Sequence, residues 1–283
     1  MTSYDQITKH LRSFHFPFAL RLPQTQQERF ALALGTTAAI GTSLILPAIY
    51  RDYRTFRSYG PGGVPNNVFG WLIVRAVFQP LMSEMFSTEI YVQRVHALEG
   101  HGAGEAGFLT LAPEQARSVK ERPVVGPHVV PQRQLTQLPE EEIKDKLDAA
   151  FRAFGRRNHH LVKFQRSGQE AHAEALFLAD RLPRSDVVKA TDGELAHLHS
   201  NGDYSAHFPL APADCKKVIE AGWGQRHGFS GTSAMSWLSL GMRPDIPAEF
   251  LLIYAPRNDA EIQTFMQILE ASIKYTTGRE DVR

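Results

Sequence analysis

The sequence predicts an α+β fold, a mixed or antiparallel sheet with packed helices, preceded by a single N-terminal transmembrane helix. Three observations predict it. Residues 30–50, FALALGTTAAIGTSLILPAIY, run without a charge. Residues 194–210, ELAHLHSNGDYSAHFPL, read as two short strands turning at Asn201 and Gly202. Two later stretches, 139–155 and 258–276, repeat apolar residues at helical spacing. The whole chain is 283 residues with 31 basic and 30 acidic side chains, a net charge of +1 that makes no electrostatic case for nucleic acid. Its one cysteine, Cys215, excludes an internal disulfide and any all-cysteine metal site.

As a helix rising about 1.5 Å per residue, residues 30–50 reach roughly 31 Å, the thickness of a bilayer's hydrocarbon core. Gly35, Gly41, Thr36, Thr37 and Thr42 would weaken a helix in water and are tolerated in lipid. The run starts late and is followed at once by charge, unlike a cleaved signal peptide. Arg21 and Arg29 precede it, whereas Arg51, Arg54 and Arg57 follow, which leans toward a cytosolic carboxy-terminal domain. Residues 51–67 are rich in glycine and proline and lack the spacing of a dinucleotide or phosphate loop, so they predict a turn-rich connector. The apolar run 68–82 has Arg75 at its middle and Pro80 near its end and is short for a span. It fits a helix lying in the membrane interface or an ordinary core helix. The expected organisation is a tail at 1–29, an anchor at 30–50, a connector with that interfacial candidate at 51–96, and an α+β domain at 97–283.

Within that domain, residues 97–111 are Gly- and Ala-rich and read as loop. Ile143, Leu147, Ala150, Phe151 and Phe154 give the helix at 139–155 one apolar face; Pro139 suits its first turn and Gly155 its stop. A short helix at 212–221 ends at Gly222, and the apolar run 249–255 has strand length. Asn258 and Glu261 have capping-box spacing ahead of Ile262, Phe265, Met266, Leu269 and Ile273, the buried stripe of the last helix. Residues 232–248 predict a loop across one edge of the sheet.

The chemistry sits with the histidines. His197 and His199, separated by one residue on a strand, point to one face. A two-residue loop at Asn201–Gly202 would turn His207 away, whereas a three-residue loop, Asn201 to Asp203, sets His197 directly opposite His207. Three converging imidazoles could bind zinc or another first-row metal, or two could join a carboxylate from Glu174, Glu194 or Asp203 around iron. They could equally move protons without a metal, or be strand histidines bonded to backbone. Spacing does not choose among these, and no cofactor is predicted. His227 lies in GWGQRHGFSG, residues 222–231, where Trp223 could stack on a planar ring and Arg226 could stabilise an oxyanion. Arg257 follows the last strand, and His172 and Glu174 are polar residues in an apolar run. The candidate catalytic residues are His197, His199, His207 and His227; the candidate substrate-binding residues are Trp223, Arg226, Arg257, His172 and Glu174. Neither GxSxG nor HExxH occurs, and Cys215 in a helical pattern reads as an inert thiol.

Seven segments taken together carry a resemblance: RDYRTF at 51–56, GPGGVPNN at 60–67, QRQLTQL at 132–138, LAHLH at 195–199, GWGQRH at 222–227, YAPRN at 254–258 and EASIKYTTG at 270–278. With them the chain resembles the fungal luciferase family, membrane-associated proteins of fungal bioluminescence and their non-luminous relatives. Luminous members oxidise 3-hydroxyhispidin, a styrylpyrone, with molecular oxygen and without flavin, nicotinamide or ATP. The resemblance puts His197, His199, His207 and His227 on the family's histidine-bearing segments, and Arg226 and Arg257 on its arginine-bearing ones. Here LAHLH is followed by SNGD, where luminous members carry a more acidic, His-containing stretch, and the 232–248 loop diverges; both departures imply a non-luminous member. The resemblance therefore implies a single-pass enzyme of fungal specialised metabolism in the endoplasmic reticulum membrane, oxidising an enolic or phenolic polyketide-type small molecule beside other membrane-bound biosynthetic enzymes. A redox-neutral isomerase or cyclase, a non-catalytic binding or scaffold protein, and a true 3-hydroxyhispidin luciferase are the alternatives.

Overall fold

In the computed structural model, which describes residues 24–98, 107–117, 121–170 and 173–283, Thr25 and Glu28 open the first helix with a reciprocal cap. The Glu28 N–H donates to Thr25 Oγ1 at 3.1 Å and the Thr25 N–H to the Glu28 carboxylate at 3.0 Å. Helix α1, Gln26–Ser58, then runs for 33 residues, about 50 Å. It contains the whole charge-free run, and the Thr36 and Ser43 hydroxyls donate back to the Leu32 and Ala39 carbonyls at 2.7 and 2.8 Å. Among the described residues it is the one helix long and apolar enough to cross a membrane, by length and composition. It also continues through residues 51–58, where a connector was expected, and the turns begin only at Tyr59 and Gly60.

The chain divides into two compact units, Met1–Asp52 and Tyr53–Arg283. Among its described residues the second has six strands: β1 Val162–Arg166, β2 Glu174–Leu178, β3 Glu194–Leu198, β4 Ala206–Pro209, β5 Gly224–Arg226 and β6 Phe250–Ile253. They form one open sheet in the order β1-β2-β3-β4-β6-β5, and every pairing is antiparallel. Of the two sheet types expected, the antiparallel one is present. Among its described residues the further α-helices of this unit are α2 Val68–Ile73, α3 Glu89–Leu98, α4 Glu141–Arg157, α5 Asp186–Ala190, α6 Pro212–Glu220, α7 Ala234–Leu238 and α8 Asp259–Thr277.

Two helices show why the local sequence folds as it does. The Asn258 side chain accepts the Glu261 N–H at 2.9 Å, and α8 ends at Gly278 with φ 65°, a left-handed cap that glycine adopts without strain. Gly155, expected to stop α4, lies inside it instead. A Cβ there would stand 2.4 Å from the Phe164 ring, so the residue lets the helix approach β1 closely rather than ending it. Helix α7 is a short turn within the segment expected to be loop.

One face of the sheet is dry. Leu147, Phe151 and Phe154 of α4, Val218 and Ile219 of α6, and Phe265 and Leu269 of α8 pack on Leu176, Leu198, Phe208 and Leu251. A second cluster joins Phe56, Tyr59, Val74, Val129, Phe229 and Ala234, so the region expected as connector supplies core to this unit. Helix α2 and the turns after it bury Val74 while Val68, Phe69, Leu72 and Val77 stay exposed. Residues 99–106, most of the expected Gly- and Ala-rich loop, lie outside the described residues.

Candidate functional site

The β3–β4 hairpin sets His197 opposite His207 and Leu198 opposite Ala206, the register that the three-residue turn gives. Strand alternation then sends Leu198 and Phe208 into the dry core and the histidines to the other face. Ring centroids are 5.3 Å apart for His197–His199 and His197–His207, and 5.1 Å for His199–His207. His227, just beyond β5, adds a fourth ring 5.4 Å from His207, and Phe250 stacks on His207 at 5.1 Å with an interplanar angle of 5°. All four imidazoles are buried.

Three of the rings are held by one nitrogen each, and His227 is held by both. His197 Nδ1 lies 2.7 Å from a Glu194 carboxylate oxygen. His199 Nδ1 lies 3.1 Å from Asp203 and 2.9 Å from Ser205 Oγ, whose hydroxyl donates to the other Asp203 oxygen at 2.9 Å. His207 Nδ1 lies 3.1 Å from the Leu251 carbonyl. A carbonyl and an ionised carboxylate only accept, so the network assigns the proton to Nδ1 in all three rings. His227 is the reverse: its Nδ1 accepts the Phe229 N–H at 3.1 Å, and its ring donates to the Val129 carbonyl.

Burial makes three of these rings poor cations. It drives His199 and His207 well below the ordinary histidine range, with neighbouring imidazoles and, for His199, Arg133 adding repulsion. Burial alone dominates at His227, pushed down to about 4. The carboxylates divide: burial raises Asp203 against the pull of Arg133, whereas at Glu194 the bonds from His197, Ser167 and the Gly168 N–H outweigh burial and hold it low.

Residues 126–137 lie over this face as a strap that doubles back on itself, the Gly126 N–H donating to the Arg133 carbonyl at 2.8 Å. The Gln134 N–H donates to the Asp203 carboxylate, and Gln132 Nε2 donates to the Arg226 carbonyl at 3.3 Å. Arg133 makes a buried 2.6 Å ion pair with Glu170. Glu194 and Asp203 entered the sequence reading as two of three alternative carboxylate partners for iron, and in the structure they brace ring nitrogens. Ser205, Arg133, Glu170 and Phe250 were not singled out. The spacing of Glu194 three residues before His197, and of Asp203 four after His199, was the available signal.

The other candidates stand elsewhere. Arg226 pairs in register with Leu251 and so faces the helix side, where its guanidinium donates to the Ser230 carbonyl at 2.7 Å and to Ser83 at 3.4 Å. Its Nε is buried with no hydrogen-bond partner among the described residues. Trp223 is buried, donates to the Gln115 carbonyl at 2.7 Å, and carries the Arg117 guanidinium 5.1 Å above its ring. Trp223 and Arg257 meet at a cavity of about 340 Å³ that also takes in Arg117 and Glu261 and contains no histidine. Arg257 is committed there to the Glu261 carboxylate. Glu174 sits on the helix side of β2 in a half-exposed 2.6 Å pair with Arg152. His172 lies outside the described residues. Cys215 is buried in α6, as expected of an inert thiol, and burial raises its pKa.

Comparison with known proteins adds a lineage to this geometry. The luciferase domain family matches residues 192–272, the stretch that holds all four rings. The chain is 33% identical over 260 residues to a luciferase of Armillaria mellea, covering 85% of this chain and 86% of that protein. A luciferase of Neonothopanus nambi is 30% identical over 275 residues, 91% of each chain. No solved structure matches.

Proposed function

The chain belongs to the fungal luciferase family, and from that premise we propose that it is a membrane-anchored enzyme of fungal specialised metabolism. It oxidises an enolic or phenolic polyketide-type small molecule with molecular oxygen, on the face formed by His197, His199, His207 and His227. One observation carries this reading: the buried imidazoles of His197, His199 and His207 converge with their Nδ1 atoms already committed, so their Nε2 atoms are free to take a proton. Removing the enolic or phenolic proton leaves an electron-rich anion, the form in which such a carbon reacts with oxygen. A ring that has accepted that proton is steadied by the carboxylate already behind it, Glu194 for His197 and Asp203 for His199.

In this reading residues 30–50 cross the endoplasmic reticulum membrane once. The catalytic unit is cytosolic, beside the membrane-bound enzymes that supply its substrate, and the protein is a non-luminous member of its family. The anchor is tested by carbonate washing of native membranes, where the protein should stay in the pellet; release into the supernatant would contradict it.

The catalytic reading is tested by metabolite mass spectrometry on a deletion strain restored with wild type or with His207→Ala. The same intermediate should accumulate in the deletion and the variant, with turnover down at least ~100-fold, and the missing product should be heavier by oxygen. A product of unchanged mass would move the chemistry to isomerisation or cyclisation. Normal metabolites from His207→Ala would sink catalysis on this face and favour binding or scaffolding.

A further inference from the structure

We propose that His197, His199 and His207 together bind one divalent first-row transition-metal ion through their Nε2 atoms. The inference rests on the same histidine face as the functional reading above and gives its three Nε2 lone pairs a different role, ligation in place of proton acceptance.

The first ground is convergence. One ring nitrogen of each histidine lies within 4.8 Å of the other two. With Nδ1 of His197 on Glu194, Nδ1 of His199 on Asp203 and Ser205, and Nδ1 of His207 on the Leu251 carbonyl, the nitrogens left to converge are the three Nε2 atoms. None of them has a hydrogen-bond partner in the protein among the described residues. Three lone pairs gathered this closely repel, and a cation placed between them turns that repulsion into ligation. Metal–imidazole bonds of about 2.0–2.1 Å set tetrahedral ligand atoms about 3.3 Å apart, so the rings need close by at most about 1.5 Å.

The second ground is what stands behind the rings. A metal-binding histidine characteristically donates its outer N–H to a carboxylate or backbone carbonyl, which fixes the tautomer and strengthens the donor. All three rings have that arrangement, each from a different source: the same strand, the hairpin turn and the neighbouring strand. His227 is an internal contrast. It belongs to the same cluster, yet its Nδ1 already accepts the Phe229 N–H and its other nitrogen donates to Val129, so no lone pair remains for a metal.

Charge is the third ground. Glu194 and Asp203 are two buried carboxylates directly behind the ligands, whereas the nearby Arg133 is paired with Glu170. A dication balances the two carboxylates. Three neutral imidazoles suit zinc, iron, cobalt, nickel or copper and not magnesium or calcium. The three ligands leave further positions on the ion open to water or a substrate oxygen.

The test uses the full-length protein in detergent, stripped with a chelator and titrated with Co(II). Wild type should take up one equivalent with a visible d–d band, and its thermal unfolding midpoint should rise. His197→Ala, His199→Ala and His207→Ala should each lose the band while keeping the wild-type circular dichroism spectrum. His227→Ala should keep it, and Glu194→Gln should weaken uptake by about 10–100-fold. Elemental analysis of protein purified from fungal membranes then names the native ion. Absence of stoichiometric uptake by wild type, or uptake unchanged in the three histidine variants, would overturn the site. Normal uptake in a protein that turns over no pathway intermediate supports the site and sinks the enzymatic reading; turnover by a wild type that takes up no metal does the reverse.

Discussion

On one side of β4, Phe208 meets Phe265 edge to face at 5.9 Å; on the other, the neighbouring His207 stacks on Phe250 and bonds to a carbonyl. Both faces are buried, but different interactions close them. The helix side is shut by aliphatic and aromatic packing, whose stabilisation follows the area removed from water and is indifferent to direction. The histidine side is shut by hydrogen bonds, where each buried polar atom has to find a partner of the right kind and angle. The first arrangement supplies stability, and the second supplies positioned chemical groups. A sheet with one face of each kind can hold a polar site rigid because its other side is dry.

The largest effects should separate the two faces most clearly. Phe265→Ala should cost about 3–5 kcal/mol in chemical denaturation and leave the Co(II) band of the folded fraction intact. Loss of the band would show that the faces are not separable. On the other side, Glu170→Ala leaves the Arg133 guanidinium buried without its partner and should cost about 3–5 kcal/mol, whereas replacing both residues with apolar ones of similar volume should cost far less. Equal costs for the single and double changes would mean that the pair is not an isolated charge device.

A pH titration of metal-stripped protein, with His227→Phe titrated alongside it, should show what that ring contributes. With His227 down at about 4 when folded and near 6.5 when unfolded, the unfolded chain binds a proton that the native chain refuses. The penalty is absent above pH 6.5 and grows as pH falls toward 4, reaching about 3 kcal/mol for this ring. His199 and His207 act in the same direction. Denaturation midpoints that stay flat across that window would contradict the neutral assignment. The smallest effect belongs to the dry face: Gly155→Ala should cost about 1–3 kcal/mol by pushing Phe164 away from α4. A neutral outcome would mean that the helix–sheet spacing has slack.

What was legible in the sequence was local. The hairpin, its two candidate registers and the Asn258 cap follow from residues a few positions apart, and the structure chose between the registers through the turn. Gly155 misled because a glycine that permits close approach reads like one that ends a helix. Arg226 was placed toward the site because it adjoins His227. The pairing of β5 with β6 decides instead that Gln225 shares the His207 face and Arg226 does not. Trp223 was assigned to a substrate ring because nothing near it in sequence announces Gln115 and Arg117, more than a hundred residues earlier. The strap was the least visible part. Residues 126–137 show no periodicity, and their partners Asp203 and Arg226 are about 70 and 90 residues away.

The hairpin turn has a further consequence, for how this chain can vary. Asn201 and Gly202 are exposed, and nothing in their side chains touches the rings, so exchanges there are tolerable. Their number is another matter. Removing one residue would reverse the alternation of β4 against β3, sending His207 into the helix-side packing and Phe208 outward, with every chemical group still present in the gene. Across relatives, this stretch should be free in spelling and fixed in length. A homologue with a one-residue deletion there should have lost the reaction even though all four histidines remain.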